Sequence, residues 1–322
     1  LDTLDVLKLE EWKVIFRAQR NARVIIPGLG KEKKSDFSYF SILVKIKLAN
    51  QRRFFELGEG AVHALKFNQN GICSRIRKMV ENHRESRVIH FSSPVPVILN
   101  AGDGAILFHE ILGHSLEADY IYQGLSPLSP EDIGKQIVSP NVTLVTRDPN
   151  DSFFKNIQCD DEGETPGPEM LVENGVLRNI ISDNFHKKRM NLGSAGHARL
   201  EDFTLPPMPR MFAIYLKPGT YSPDELLAST PYGVYAESFG DGKVYFEKDE
   251  FFFNIREAWL IKDGGLSTPL GSVVVRGNIR ETLNSVEMVA NDFRFDKGIS
   301  YCYKNGQTIN VRVGQPTVKI KN

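Results

Sequence analysis

Val95-Pro-Val-Ile-Leu99, Asn100-Ala-Gly-Asp-Gly104 and Ala105-Ile-Leu-Phe-His-Glu-Ile-Leu-Gly-His114 follow one another directly, and their order reads as a strand, a tight turn and a helix. The first segment is short and apolar, the second has two glycines that free the backbone to turn, and the third continues as a helical stretch to about Tyr120. The texture of the chain changes at about Ile89, so this unit opens a second domain.

Beyond Ile137 the sequence is built of short strands and turns. Leu171-Val-Glu-Asn-Gly-Val-Leu177 sets Asn174-Gly175 between apolar flanks, a strong hairpin signal. Further strands are expected at 211–216, 244–246, 251–255, 258–261 and 272–275, with turns at Asp241-Gly242 and Asp263-Gly264. Ser222-Pro-Asp-Glu225 has the residues of a capping box and should start a helix to about Ala228, and residues 279–289 read as a second helix.

Upstream, Phe40, Ile42, Val44, Ile46 and Leu48 recur at period two, a half-buried strand. The Phe54-Phe55 segment should end at Gly58 and Gly60, and residues 61–81 should be helical in two pieces either side of Asn70-Gly71. The expected fold is α+β: a mixed α/β N-terminal domain, residues 1–90, then a hairpin-rich, predominantly antiparallel β domain, residues 91–322, that carries the helix with the histidines.

The 322 residues suit two domains, and 40 Lys+Arg against 40 Asp+Glu leave a formal net charge of +0. A nucleic-acid or anionic-membrane binder normally carries a basic excess, so neither partner is expected. The basic runs at Lys31–Lys34 and Arg75–Lys78 read as solvated faces. No stretch approaches the ~20 apolar residues of a spanning helix. Residues 1–12 lack a basic n-region and an apolar h-region and so do not read as a signal peptide, while a start at Leu1 reads as processed, trimmed or partial. Cys73, Cys159 and Cys302 are odd in number and far apart, which points to a reducing compartment, the cytoplasm by default.

His109-Glu110-Ile-Leu-Gly-His114 is the sharpest chemical feature. Imidazole nitrogen suits Zn²⁺, and a glutamate beside the first ligand can take a proton from water at the metal. Histidines four apart share a helix face; five apart they are turned by about 500°, which leaves His114 about 140° from His109 on a regular helix. The spacing therefore predicts a π-type turn or a break at Gly113. Cys302, in the segment 298–306 read as a turn, supplies a candidate third donor as thiolate; its other reading is a small buried hydrophobe.

Several further motifs follow in order: Ser115-Leu-Glu-Ala-Asp119, Asp161-Glu-Gly163, Leu171-Val-Glu-Asn-Gly175, Gly193-Ser-Ala-Gly-His-Ala-Arg199, Pro209-Arg-Met211, and Cys302 with Gly306-Gln307 and Gly314-Gln-Pro316. From about Pro94 to Lys319 the chain resembles the TldD/PmbA metalloprotease family, and among its two subfamilies the TldD-like members that keep the metal motif. The resemblance implies a zinc-dependent peptidase with one Zn²⁺ per chain held by His109, His114 and Cys302, and Glu110 as the base. It also implies flexible or leader peptides as substrates, and a dimer, either with itself or with a metal-free paralogue. The sequence departs from the family pattern at Tyr303, where the cysteine is usually followed by Gly-Lys, and at Ala118, where Leu-Glu-Gly-Asp is usual. Family members also carry a longer N-terminal domain, of which residues 1–90 would be a part.

Around that ligand set, Glu117 and Asp119 either orient an imidazole or are solvated helix-surface acids. His197, Arg199 and Arg210 either stabilise an oxyanion and grip substrate or are ordinary surface cations. Asp160, Asp161 and Glu162 either line the site or form an acidic loop. Two other functions compete: a zinc amidase of deformylase type, which uses the same Cys-His-His set, and a metal-free regulatory or partner subunit.

Overall fold

The computed structural model describes residues 7, 9–26, 30–48, 55–62, 68–147, 157–167, 169–297 and 300–321. Val97–Leu99 is a central strand of a seven-stranded sheet, parallel to Tyr232–Tyr245 and antiparallel to Val318–Ile320. Glu250–Lys262, with Gly265–Leu270 and Val273–Asn278 both paired to it, completes one side, and Val286–Val289 closes the other. A second sheet of six short strands runs in the order Arg294–Phe295, Arg312–Gln315, Ala213–Leu216, Leu144–Val145, Met170–Glu173, Val176–Leu177. All its pairings are antiparallel except that of Ala213–Leu216 with Arg312–Gln315.

The helical segment leaves the central strand through the turn at residues 101–104. Gly102 has φ +82, and a Cβ there would lie 2.7 Å from the Phe295 carbonyl oxygen, so the turn needs glycine. Leu107, Phe108, Ile111, Leu112 and Leu116 then pack into one core with Leu144, Leu171 and Ile214 of the six-stranded sheet and Val234, Phe253 and Val318 of the seven-stranded sheet. A segment apolar on nearly all sides is thus buried between two sheets, as its composition requires.

The Asn174-Gly175 hairpin is present, with φ of 49 and 81, the positive pair of a type I′ turn. The Ser222/Glu225 capping box starts Pro223–Ala228. Several boundaries differ from expectation. Residues 279–289 split into helix Ile279–Asn284 and strand Val286–Val289, because the valines pair with the strand Val318–Ile320. Asp241-Gly242 lies within a long strand, at a register shift against Glu250–Lys262, and makes no turn.

In the N-terminal region Glu11–Ile25, Lys33–Lys47 and Phe55–Val62 form an antiparallel sheet. Gly58 and Gly60 lie inside the third strand, opposite Leu43 and Ser41, and do not end it. One helix, Gln69–Glu85, replaces the two expected pieces: Asn68 accepts the Gly71 N–H at 2.9 Å, so Asn70-Gly71 sits in the first turn. Residues 63–67 lie outside the described residues. Ile72, Ile76, Met79 and Val80 pack on Val44, Ile46, Leu48 and Leu57. Among the described residues no helix is long and apolar enough to cross a membrane, and all three cysteines are free.

Candidate metal centre

The five-residue spacing is absorbed as its geometry demands. Ala105–Phe108 is α-helical, His109–Gly113 is a π-helical turn, and His114–Leu116 is a 3₁₀ turn that ends where Glu117 adopts extended backbone at φ −80, ψ 126. A side chain at Gly113 would meet the thioether of Met211, so Met211 packs closely on the turn because this residue lacks one. The two imidazoles come face to edge, 4.9 Å between ring centres. The segment does not run as one helix to Tyr120: Ala118–Tyr122 restarts after Glu117.

Cys302 reaches the histidines from a separate hairpin, Tyr301–Lys304 paired with Gln307–Asn310, and is on a strand where the sequence reading had a turn. The two-residue loop is Asn305-Gly306, with φ of 47 and 82. Donor atoms of His109, His114 and Cys302 lie within 4.8 Å of one another, and all three side chains are buried. Cys302 Sγ is 3.3 Å from His114 Nε2.

Two observations test whether these residues suit a cation. Among the described residues neither ring nitrogen of the buried His109 has a hydrogen-bond partner of ordinary geometry, a cost a protein rarely accepts without a ligand. Burial would raise the Cys302 thiol, yet His114 and His109 hold it well below its ordinary value. Burial would lower His114, yet Glu117 and Cys302 raise it well above its own, so a cation would have to displace that proton to use the ring as a ligand. Two imidazoles and a thiolate are the donor chemistry of zinc, and they fit.

Glu110 stands at the open side of this cluster. Its side chain is 33% exposed, and its carboxylate is 4.0 Å from His114 Nε2.

Behind the cluster the polar groups are wired to one another. His114 Nδ1 meets Glu117 Oε2 at 2.7 Å, and Glu117 is fully buried. Burial would raise the Glu117 carboxyl, but Lys304 and His114 outweigh it and hold it at about 2. Glu117 and Asp119 are therefore buried partners of the site and not solvated acids. Arg210, also buried, donates to the Cys302 carbonyl at 2.7 Å. Arg199 donates to the carbonyls of Met211 and Asn310, at 2.6 and 3.0 Å. Both guanidiniums thus fix the backbone around the cysteine hairpin and are not surface cations. His197 is buried against Gly167, and burial, reinforced by Arg147, lowers its imidazole to about 4. Asp160 accepts the N–H groups of Glu162, Glu164 and Ala198, and Asp161 pairs with Arg23 at 2.5 Å, so these acids hold a loop together.

Lys304 was not among the residues singled out by sequence. It is 2% exposed, and its ammonium lies 2.7 Å from both Glu117 and Asp119. The available signal was strand alternation: Lys304 is two residues after Cys302 and shares its face.

Residues 92–322 match the PmbA/TldA metallopeptidase C-terminal domain. A Metalloprotease TldD homolog of Buchnera aphidicola is 36% identical over 236 residues, 72% of this chain and 48% of that protein. A Zinc metalloprotease TldD homolog of Saccharolobus solfataricus is 29% identical over 256 residues, 79% of this chain and 56% of that one. The chain spans about half the length of these relatives. In fold it is similar to the crystal structure of TldE from Thermococcus kodakarensis, with a TM-score of 0.70 at 19% identity, covering 92% of this chain and 64% of that one.

Proposed function

The chain belongs to the TldD/PmbA metallopeptidase family, and from that premise we propose that it is a zinc-dependent peptidase acting on unstructured peptides or leader segments. In this reading His109, His114 and Cys302 hold one Zn²⁺ and Glu110 is the catalytic base. The observation that carries it is the convergence of the three donor sets within 4.8 Å, with the Glu110 carboxylate 4.0 Å from His114 Nε2.

Bound there, zinc would supply a Lewis acid that polarises the scissile carbonyl and makes water more acidic. Glu110, which solvent can reach, would accept a proton from the attacking water on its carboxylate and pass it to the leaving amine. Glu117 holds His114 through Nδ1, which leaves Nε2 to face the cluster. A thiolate donor gives the cation more negative charge than a third imidazole would, so turnover should be modest. Edge strands of the short-stranded sheets favour an extended peptide, which pairs through its main chain. A homodimer or a heterodimer with a metal-free paralogue, working in the cytoplasm, completes the proposal.

Incubation with an unstructured peptide, read by mass spectrometry with and without a chelator, tests the function. Internal cleavage that the chelator stops and added zinc restores is the expected result. Formate release from formyl-Met peptides without internal cleavage would favour the amidase; protein that takes up no added zinc and cleaves neither substrate would favour the metal-free partner subunit.

A further inference from the structure

The three proposed ligands come from two elements that are remote in sequence: His114 and Cys302 are separated by 188 positions. Something must fix the distance between the helical turn and the hairpin, because a cation site tolerates little error in ligand placement. We infer that Lys304 is this positioning residue, a buried clasp between the two ligand-bearing elements; the inference rests on the metal-centre reading above.

Lys304 belongs to the Cys302 strand, two residues on, so the two side chains leave the same face. Its ammonium is 2.7 Å from Glu117 Oε2 and 2.7 Å from Asp119 Oδ1, both in the segment that follows His114, and 3.0 Å from the Pro209 carbonyl oxygen. The three donors of an ammonium are thereby all used. The face of Tyr120 lies 4.3 Å away, measured from Nζ to the ring centre, which adds a cation–π contact. Glu117 Oε2 also meets His114 Nδ1 at 2.7 Å, so one carboxylate oxygen bridges the clasp and the imidazole. A lysine is almost never wholly buried unless paired. Here the pairing ties the third donor's strand to the second donor's turn, and the Pro209 contact reaches the strand next to Arg210, which grips the Cys302 carbonyl.

Simple charge repulsion and the clasp predict opposite signs. Removing a cation near a metal site should tighten metal binding if Lys304 acts only through its charge. It should loosen binding if Lys304 sets the position of Cys302.

The test uses the whole chain, with zinc affinity measured by chelator competition and Co²⁺ absorption as the spectroscopic readout. Lys304→Met keeps the length of the stem without the ammonium. The clasp predicts zinc binding at least tenfold weaker than wild type and a diminished thiolate-to-cobalt band, with folding verified by circular dichroism. Lys304→Met/Asp119→Asn keeps the buried charge balance and the His114–Glu117 contact, and carries the same readout if the single variant does not fold. Zinc binding as tight as wild type or tighter, with the thiolate band intact, would overturn the clasp. Wild type that binds neither Zn²⁺ nor Co²⁺ would overturn the metal reading itself, and the clasp with it.

Discussion

The region around the histidines and the N-terminal sheet are made on different plans. Around the histidines, two sheets enclose the helical turn, and the polar side chains behind the ligands are buried and paired: Glu117 with His114, Lys304 with Glu117 and Asp119, Arg210 with the Cys302 carbonyl. In the N-terminal region three strands are covered on one face by a single helix, whose apolar cluster takes in Trp12 of the first strand. Val14 and Phe16 stand opposite Val44 and Ile42, yet they remain 41% and 53% exposed. The two regions meet through polar contacts, among them Gly60 N–H to the Lys297 carbonyl, Arg23 to Asp161 and Lys33 to the Gly163 carbonyl, and through apolar packing, in which Tyr39 is buried with Val145, Phe212 and Tyr215 and its ring meets Tyr301. Position is over-determined where chemistry is proposed, and the sheet rests on ordinary apolar packing.

The sharpest way to break this contrast is at Glu110. Glu110→Ala should slow peptide hydrolysis by about two to four decades with zinc content unchanged, because Glu110 touches the ligand cluster without belonging to it. Activity within a few-fold of wild type, in steady-state assays on the same peptide, would remove the base.

Next in size is Ile76→Ala, in the helix that covers the N-terminal sheet. A buried aliphatic truncation costs about 2–5 kcal/mol, and urea denaturation should show the loss. If this helix plays no part in placing the ligands, zinc affinity should change less than about twofold. Affinity falling in step with stability would show instead that the sheet supports the site.

His197 sharpens the contrast through pH. Its imidazole is lowered from 6.5 to about 4 by burial and by Arg147 and Arg199, with Glu117 opposing. The unfolded chain takes up this proton below about 6.5 and the folded chain only near 4, so stability falls as pH drops through that window, by up to about 3 kcal/mol. His197→Asn should lose this dependence. Urea midpoints at pH 7 and pH 4.5 check it: wild type should lose more than the variant, and parallel losses would contradict the burial argument.

The smallest effect is expected at Phe16→Ser. A half-exposed side chain on an outer strand should change stability by no more than about 0.5 kcal/mol, read as a shift of the thermal midpoint. A large loss would mean that this face of the sheet is covered in solution.

Much of the site was legible because its signals are local. The strand-turn-helix, the Asn174-Gly175 hairpin and the π turn each follow from residues within a few positions of one another. The N-terminal strand Glu11–Ile25 was not anticipated: Trp12, Val14, Phe16 and Ala18 recur at period two, but Ile15 breaks the polar face and Arg20 and Arg23 fall on opposite faces beyond it. Asn70-Gly71 misled as a breaker because the cap is Asn68, which draws glycine into the first turn. Lys304 carried a signal in its alternation with Cys302 and in the lysine of the usual Gly-Lys, but its burial was not legible. A lysine reads as a surface residue, and what buries it are two carboxylates 187 and 185 positions away. Glu117 and Asp119 had the same ambiguity from the other side, since only the lysine decides that they lie inside.

The central claim is a three-donor metal site, and elemental analysis of purified protein tests it most directly. Wild type should hold about one zinc per chain, with Cys302→Ser and His114→Ala losing most or all of it at similar folding by circular dichroism. Wild type that contains no zinc and takes up none when it is added would contradict the account.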